Sequence, residues 1–294
     1  VIGVRGDIGD HPVEFFQTTP EEGDSSMRLF SLTFATALLA AACSQPAETP
    51  ADETAAETPP AVEETQAAPV DSAIDRAVAD ASRPEGDRSL DVNRHPAEVL
   101  AFVGVEAGWR VADIVPGGGY YSRVLSTAVG EAGQVYAFNP TWVAERFGDA
   151  NTALGELADT RVNMERLIGP IEGFDTQIEE PLDAVFMVLF YHDTGYDGTD
   201  RAAMNQSIYE SLRPGGVYLV IDHHAPEGSG LEAVNTTHRI DADFVRDEVT
   251  AAGFVLDTQS DMLANAEDPR DISVFDPAIR RQTDRFVYLF RKPE

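Results

Sequence analysis

The stretch Trp109-Arg-Val-Ala-Asp-Ile-Val-Pro-Gly-Gly-Gly-Tyr-Tyr-Ser-Arg-Val-Leu-Ser126 runs from a short apolar strand through three consecutive glycines into a helical pattern. Gly117, Gly118 and Gly119 lack Cβ atoms, so the backbone there can take positive φ and a ligand can approach the main chain closely. Tyr121, Val124, Leu125 and Ala128 then share one stripe of a helix. Its free N–H groups and positive dipole end point back at the turn, which predicts an anionic ligand group there. An ordinary tight turn does not need three glycines, each of which costs backbone entropy.

Outward from this stretch, strands and helices alternate. Gln134–Asn139 reads as a second strand after the Gly130/Gly133 turn, followed by a helical region over 141–157 and a third strand near Arg161–Glu165. Pro181–Tyr191 is a continuous apolar run of the buried parallel-strand type, ending in His192-Asp193. A helix over Asp200–Leu212 leads through Arg213-Pro-Gly-Gly216 into a strand, Val217–Asp222, that ends in Asp222-His223-His224. A helix over Asp241–Ala252 and strands at Phe254–Gln259 and Arg285–Arg291 complete the pattern. Upstream, short helices are predicted over Asp71–Ala81 and from Pro96, with Val99, Leu100 and Val103 on one face. The charges Arg83, Asp87, Arg88, Asp91 and Arg94 read as a solvated face, with the lining of the ligand mouth as the alternative. The alternation implies an α/β fold with a mostly parallel sheet wound on both sides. One domain, residues 71–294, is expected.

Asp113 followed by Pro116-Gly-Gly-Gly119 resembles the first motif of class I S-adenosylmethionine (SAM)-dependent methyltransferases, an acidic strand residue before Gly-x-Gly-x-Gly. The helix–Pro214-Gly-Gly216–strand unit resembles a later motif of the same family. The likeness covers roughly Arg83 to Pro293 and is nearest to a group of bacterial proteins called predicted methyltransferases. It implies a Rossmann-like, doubly wound, seven-stranded sheet with an antiparallel last strand, and SAM as cofactor. By resemblance, Asp113, Pro116 and Gly117–Gly119 hold the methionine part of SAM, with Tyr191 on the cofactor side. Two positions depart from the pattern. Val115 stands where the first glycine falls, and Asn139 stands where an acidic residue usually accepts hydrogen bonds from the ribose. An amide also accepts such a bond, without the charge that strengthens it.

Ligands of open parallel sheets bind beyond the carboxyl ends of the strands, where the strand order reverses. The glycine turn, Asn139, Tyr191-His192-Asp193 and Asp222-His223-His224 are expected to meet there, with His238 joining from just before the Asp241 helix. Methyl transfer to oxygen requires loss of a proton, a task suited to histidine. His192 or His223 is the candidate base, Asp193 or Asp222 its orienting partner, and His238 the remaining candidate catalytic residue. Hydrogen-bonded structural histidines are the plainer reading. The same side chains are also ligand types for zinc, iron or manganese, although no short ligand motif is present. A nicotinamide-dinucleotide enzyme is disfavoured, because its Gly-x-Gly-x-x-small match is loose and Asn139 again lacks the acidic ribose ligand.

The formal charge of −30, from 51 acidic and 21 basic side chains, argues against a nucleic-acid partner and for a small-molecule substrate. Met27–Cys43 has a basic start, an apolar stretch and small residues before Cys43, and so resembles a lipoprotein export signal. The expected organisation is an acidic upstream segment (1–26) ahead of the true start at Met27, a signal peptide (27–42), and an Ala/Pro/Glu/Thr tether (43–70) before the folded domain. Lipidated Cys43 would then be the sole membrane contact, in the cell envelope at the outer membrane facing the periplasm; an unused signal would leave the protein cytoplasmic. Export away from SAM raises a second class of function, a non-catalytic or metal-dependent cell-envelope protein that keeps the fold but holds another ligand or none. The acceptor and the oligomeric state are not legible.

Overall fold

The computed structural model describes residues 72–294. The upstream segment, the signal peptide, Cys43 and the tether all lie outside the described residues. Among the described residues no helix is long and apolar enough to cross a membrane.

Seven strands form one sheet: β1 (Arg110–Ile114), β2 (Gln134–Pro140), β3 (Met164–Gly169), β4 (Leu182–Val188), β5 (Leu212–His223), β6 (Val255–Ser260) and β7 (Arg285–Arg291). Their order is β3-β2-β1-β4-β5-β7-β6. The first five are parallel, and β7 runs antiparallel between β5 and β6. The doubly wound, mostly parallel sheet with an antiparallel last strand is therefore present as expected. Because β1 pairs with β2 on one side and β4 on the other, with Asp113 opposite both Ala137 and Phe186, the reversal of strand order falls at the end of β1. That places the glycine turn at the position where such sheets bind ligands.

The apolar run of β4 supplies both faces. Ala184 and Phe186 pack into the layer that holds the helices Pro96–Val103 and Tyr120–Val129, whereas Val185 and Met187 pack into the layer with Arg201–Ser211 and Ala242–Ala251. Alternation along a strand thus reads as a continuous apolar stretch because both faces are covered.

The structure differs from the sequence reading at several points, among them the start of β5 at Leu212. The third strand starts at Met164, because the preceding residues make a turn in which the buried Asn163 donates to the carbonyls of Ser126 and Gly130. The run over 181–191 stops as a strand at Val188, since Leu189 takes a positive φ of 56° and Tyr191–Asp193 form a 3-10 turn. Arg83, Asp87 and Arg94 are buried, so this charged segment is not a solvated face. Arg83 makes a fork to both Asp91 oxygens at 2.8 and 2.6 Å, Tyr120 donates to Asp91, and Arg123 pairs with Asp87 at 2.8 Å. These pairs clamp the N-terminal segment onto the helix that leaves the glycine turn.

Candidate functional site

At the end of β1 the chain passes through three positive-φ positions, Val115 at 54°, Gly117 at 56° and Gly119 at 83°. A β-branched residue there is a genuine outlier. Val115 nevertheless keeps the glycine-type conformation, with its N–H donating to the Phe138 carbonyl at 2.8 Å and its side chain buried. The missing first glycine has therefore changed the residue and not the backbone. The other glycines have separable causes. A Cβ on Gly119 would come within 2.5 Å of Leu157 Cδ2, so packing accounts for it as well as its φ, whereas a Cβ on Gly118 would meet nothing within 4 Å.

Asp113 is buried and accepts a 2.6 Å hydrogen bond from Ser122 Oγ in the first turn of the following helix. Burial pushes its pKa up to about 7, although Ser122 and the nearby Arg94 favour the charged form. The carboxylate faces that helix, tying strand to helix around the turn.

Asn139 lies near the end of β2, with its Nδ2 donating to Asn151 Oδ1 at 3.2 Å. Its buried Oδ1 has no hydrogen-bond partner among the described residues, and neither does the buried Nε1 of Trp142, three residues on. The Trp142 ring stacks on Phe190 beyond β4, with centroids 6.0 Å apart. One unengaged acceptor and one unengaged donor thus stand on an aromatic wall next to the turn. Buried polar atoms ordinarily find partners, so these two point to a ligand.

The second half of the site is a histidine cluster. Asp222, fully buried at the end of β5, accepts from the backbone N–H of His192 at 2.9 Å, from His192 Nδ1 at 2.6 Å and from the backbone N–H of His223 at 2.7 Å. His192 Nε2 stands 3.4 Å from Asp193 Oδ1, and His238 Nε2 stands 3.6 Å from the same oxygen. Burial acts to lower the His192 pKa, but the carboxylates of Asp222 and Asp193 outweigh it and raise it to about 9. His223 is held well below its ordinary value by burial and by the cations around it, and its Nδ1 meets Thr283 Oγ1 at 2.7 Å.

The structure thus brings His192, Asp193, Asp222, His223 and His238 together. Arg239, by contrast, turns away to a fully buried ion pair with Asp268 at 2.9 Å. The hydroxyl of Tyr191 accepts from Asn205 and donates to Glu248, so this side chain packs into the helical layer. Sequence reasoning did not single out Trp142, Tyr196 or Thr283. No local pattern marks them, since Trp142 and Tyr196 reach the site from two short helices, Thr141–Arg146 and Thr194–Asp197, and Thr283 from the loop before β7.

No protein-family model matches the chain. It is 26% identical over 140 residues to the ubiquinone/menaquinone biosynthesis C-methyltransferase UbiE of Pseudoalteromonas translucida, an alignment covering 44% of this chain and 49% of that protein. The chain spans about half the length of this curated relative. Among solved structures, it superposes with a TM-score of 0.50 at 18% identity on a complex between the Haloferax volcanii Trm112 methyltransferase activator and a proposed methyltransferase, covering 75% of this chain and 98% of that one. The fold is the class I methyltransferase fold.

Proposed function

We propose that the protein is a SAM-dependent methyltransferase acting on a small molecule. The observation that carries this reading is the pair of unengaged buried atoms, Asn139 Oδ1 and Trp142 Nε1, beside a turn that keeps glycine-type φ even at Val115. The residues fit the cofactor. Asn139 Oδ1 is a ready acceptor for a ribose hydroxyl, the turn 116–119 offers main chain to the methionine part, and Asp113 braces the turn from behind. When bound, SAM supplies a methyl group activated by its sulfonium.

The chain's own part is to hold the acceptor and receive its proton. His192, oriented by Asp222, presents Nε2 for that purpose once it has lost its own proton, which its pKa of about 9 places above neutral pH, and positioning alone serves an acceptor that is already nucleophilic. The partial likeness to a small-molecule C-methyltransferase and the acidity of the chain support a small-molecule acceptor over nucleic acid.

Calorimetry with SAM and S-adenosylhomocysteine is the test, with binding of both expected; silence at millimolar ligand would leave the non-catalytic reading. Asn139→Ala is expected to weaken SAM about fivefold, the equivalent of one net hydrogen bond of about 1 kcal/mol. Unchanged affinity would remove Asn139 from the cofactor site.

We further infer that Cys43 is lipidated and anchors the protein in the cell envelope. Cys43→Ser is expected to shift the protein from the membrane to the soluble fraction, and an unchanged distribution would overturn the anchor.

A further inference from the structure

One ligand atom from each of His192, Asp193 and His238 lies within 4.8 Å of the other two, and the Nε2 atoms of both histidines face Asp193 Oδ1. Two of the three edges measure 3.4 and 3.6 Å. Ligand atoms about 2.1 Å from a tetrahedral metal ion stand about 3.4 Å apart, so the triangle needs little adjustment to close on one.

The outer contacts of both imidazoles point the same way. His192 Nδ1 lies 2.6 Å from Asp222 Oδ1, and that carboxylate can only accept, so Nδ1 keeps its proton and Nε2 is the nitrogen left to a metal ion, which takes the place of the proton there. The Tyr196 hydroxyl donates to the Val234 carbonyl and lies 2.8 Å from His238 Nδ1. Its oxygen therefore accepts from His238 Nδ1–H, which leaves the second Nε2 lone pair aimed at Asp193. Metal-bound histidines are ordinarily fixed in this way, by a carboxylate or another acceptor on the far nitrogen. Three acceptor atoms facing each other repel unless a cation or a proton lies between them. His192 Nε2 is buried and has no hydrogen-bond partner among the described residues. His238 is held at a left-handed φ of 60°, a costly conformation for a non-glycine residue, in order to reach this point. Rings of Phe275 and Tyr196, with centroids 5.0 and 5.5 Å from that of His238, wall the cluster.

We propose that His192, Asp193 and His238 bind a divalent transition-metal ion. Two histidines and one carboxylate are a donor set suited to zinc or ferrous iron, and three protein ligands leave a coordination position open to water or a substrate oxygen. An ion there acts as a Lewis acid, lowering the pKa of a hydroxyl bound at the open position without a protein base. Metal and proton are alternative occupants of His192 Nε2. The site does not depend on SAM, and SAM binding is measured separately.

The experiment titrates zinc chloride into chelator-treated full-length protein by calorimetry, alongside circular dichroism of each metal-free variant. One zinc per chain is expected. His238→Ala and Asp193→Asn should each weaken it at least tenfold, and Tyr196→Phe, a change at a partly exposed side chain that leaves the ligands in place, about tenfold. His95→Asn, at a half-buried histidine outside the triad, should change nothing. Absence of zinc binding in the parent protein, or equal binding in the parent and in correctly folded Tyr196→Phe and Asp193→Asn proteins, would overturn the site. Zinc binding without SAM binding would keep the metal site and remove the methyltransferase reading; the converse would do the opposite.

Discussion

Asp222→Ala is expected to cost about 4 kcal/mol of folding stability, read from urea denaturation of the metal-free protein at neutral pH. Asp222 is fully buried, and both its oxygens are engaged, Oδ1 by His192 Nδ1 and the His223 N–H, Oδ2 by the His192 N–H. Truncation strands all three donors in the interior, where each unsatisfied group costs about 1–3 kcal/mol. It also leaves His192 without the carboxylate that fixes its ring. The loss is a large share of the roughly 5–15 kcal/mol by which a domain of this kind is folded. A double variant, His192→Leu with Asp222→Leu, removes the imidazole donor together with its acceptor and should recover part of the loss. Recovery cannot be complete, because the backbone N–H groups of residues 192 and 223 still lack their acceptor. A loss below about 1 kcal/mol for Asp222→Ala would mean that Asp222 does not hold the cluster.

The sheet was legible because its signals are local. A continuous apolar run over 184–188, Gly-rich turns and helix caps such as Asp200 and Asp241 each declare an element within about ten residues. β3 was misplaced by a few residues because it is an edge strand whose buried residues sit only at its two ends, leaving Glu165 and Arg166 to dominate its composition. Arg83 and Asp91 looked solvated because charge in sequence carries no sign of its partner. Only the fold brings Asp91 to Tyr120, far along the chain.

The site divides in the same way. His192, Asp193, Asp222 and His223 sit at the ends of adjacent parallel strands, and topology alone predicts their meeting. Tyr196 arrives from the short helix Thr194–Asp197 and Thr283 from a loop, and the sequence does not specify the path of either. Val115 shows the opposite case, a residue that breaks the motif while the hydrogen bond from its N–H to Phe138 preserves the geometry the motif stands for.

Asp113→Asn is expected to make the protein more stable above neutral pH and to weaken its hold on SAM. Burial raises the Asp113 pKa from 3.8 to about 7. A carboxyl with a raised pKa keeps its proton in the fold at pH values where the unfolded chain has already released it. The Asp113 contribution to stability is therefore most favourable below pH 4, falls as pH rises from about 4 to 7, and reaches its full penalty above that window. A shift of this size corresponds to at most about 4 kcal/mol. Asparagine carries no charge to desolvate, and its carbonyl can still accept the Ser122 hydroxyl that meets Asp113 at 2.6 Å. The difference between variant and parent should thus be small near pH 4 and grow to a few kcal/mol by pH 8; parallel stability curves would refute the assignment. The resemblance places this acidic residue in support of the cofactor's methionine part, whose ammonium the lost charge would no longer attract. A variant that gains stability and loses SAM affinity fits a charge retained for binding at the expense of folding. If stability rises while affinity is unchanged, Asp113 is a brace between strand and helix, and recognition of the cofactor rests on the main chain of the glycine turn.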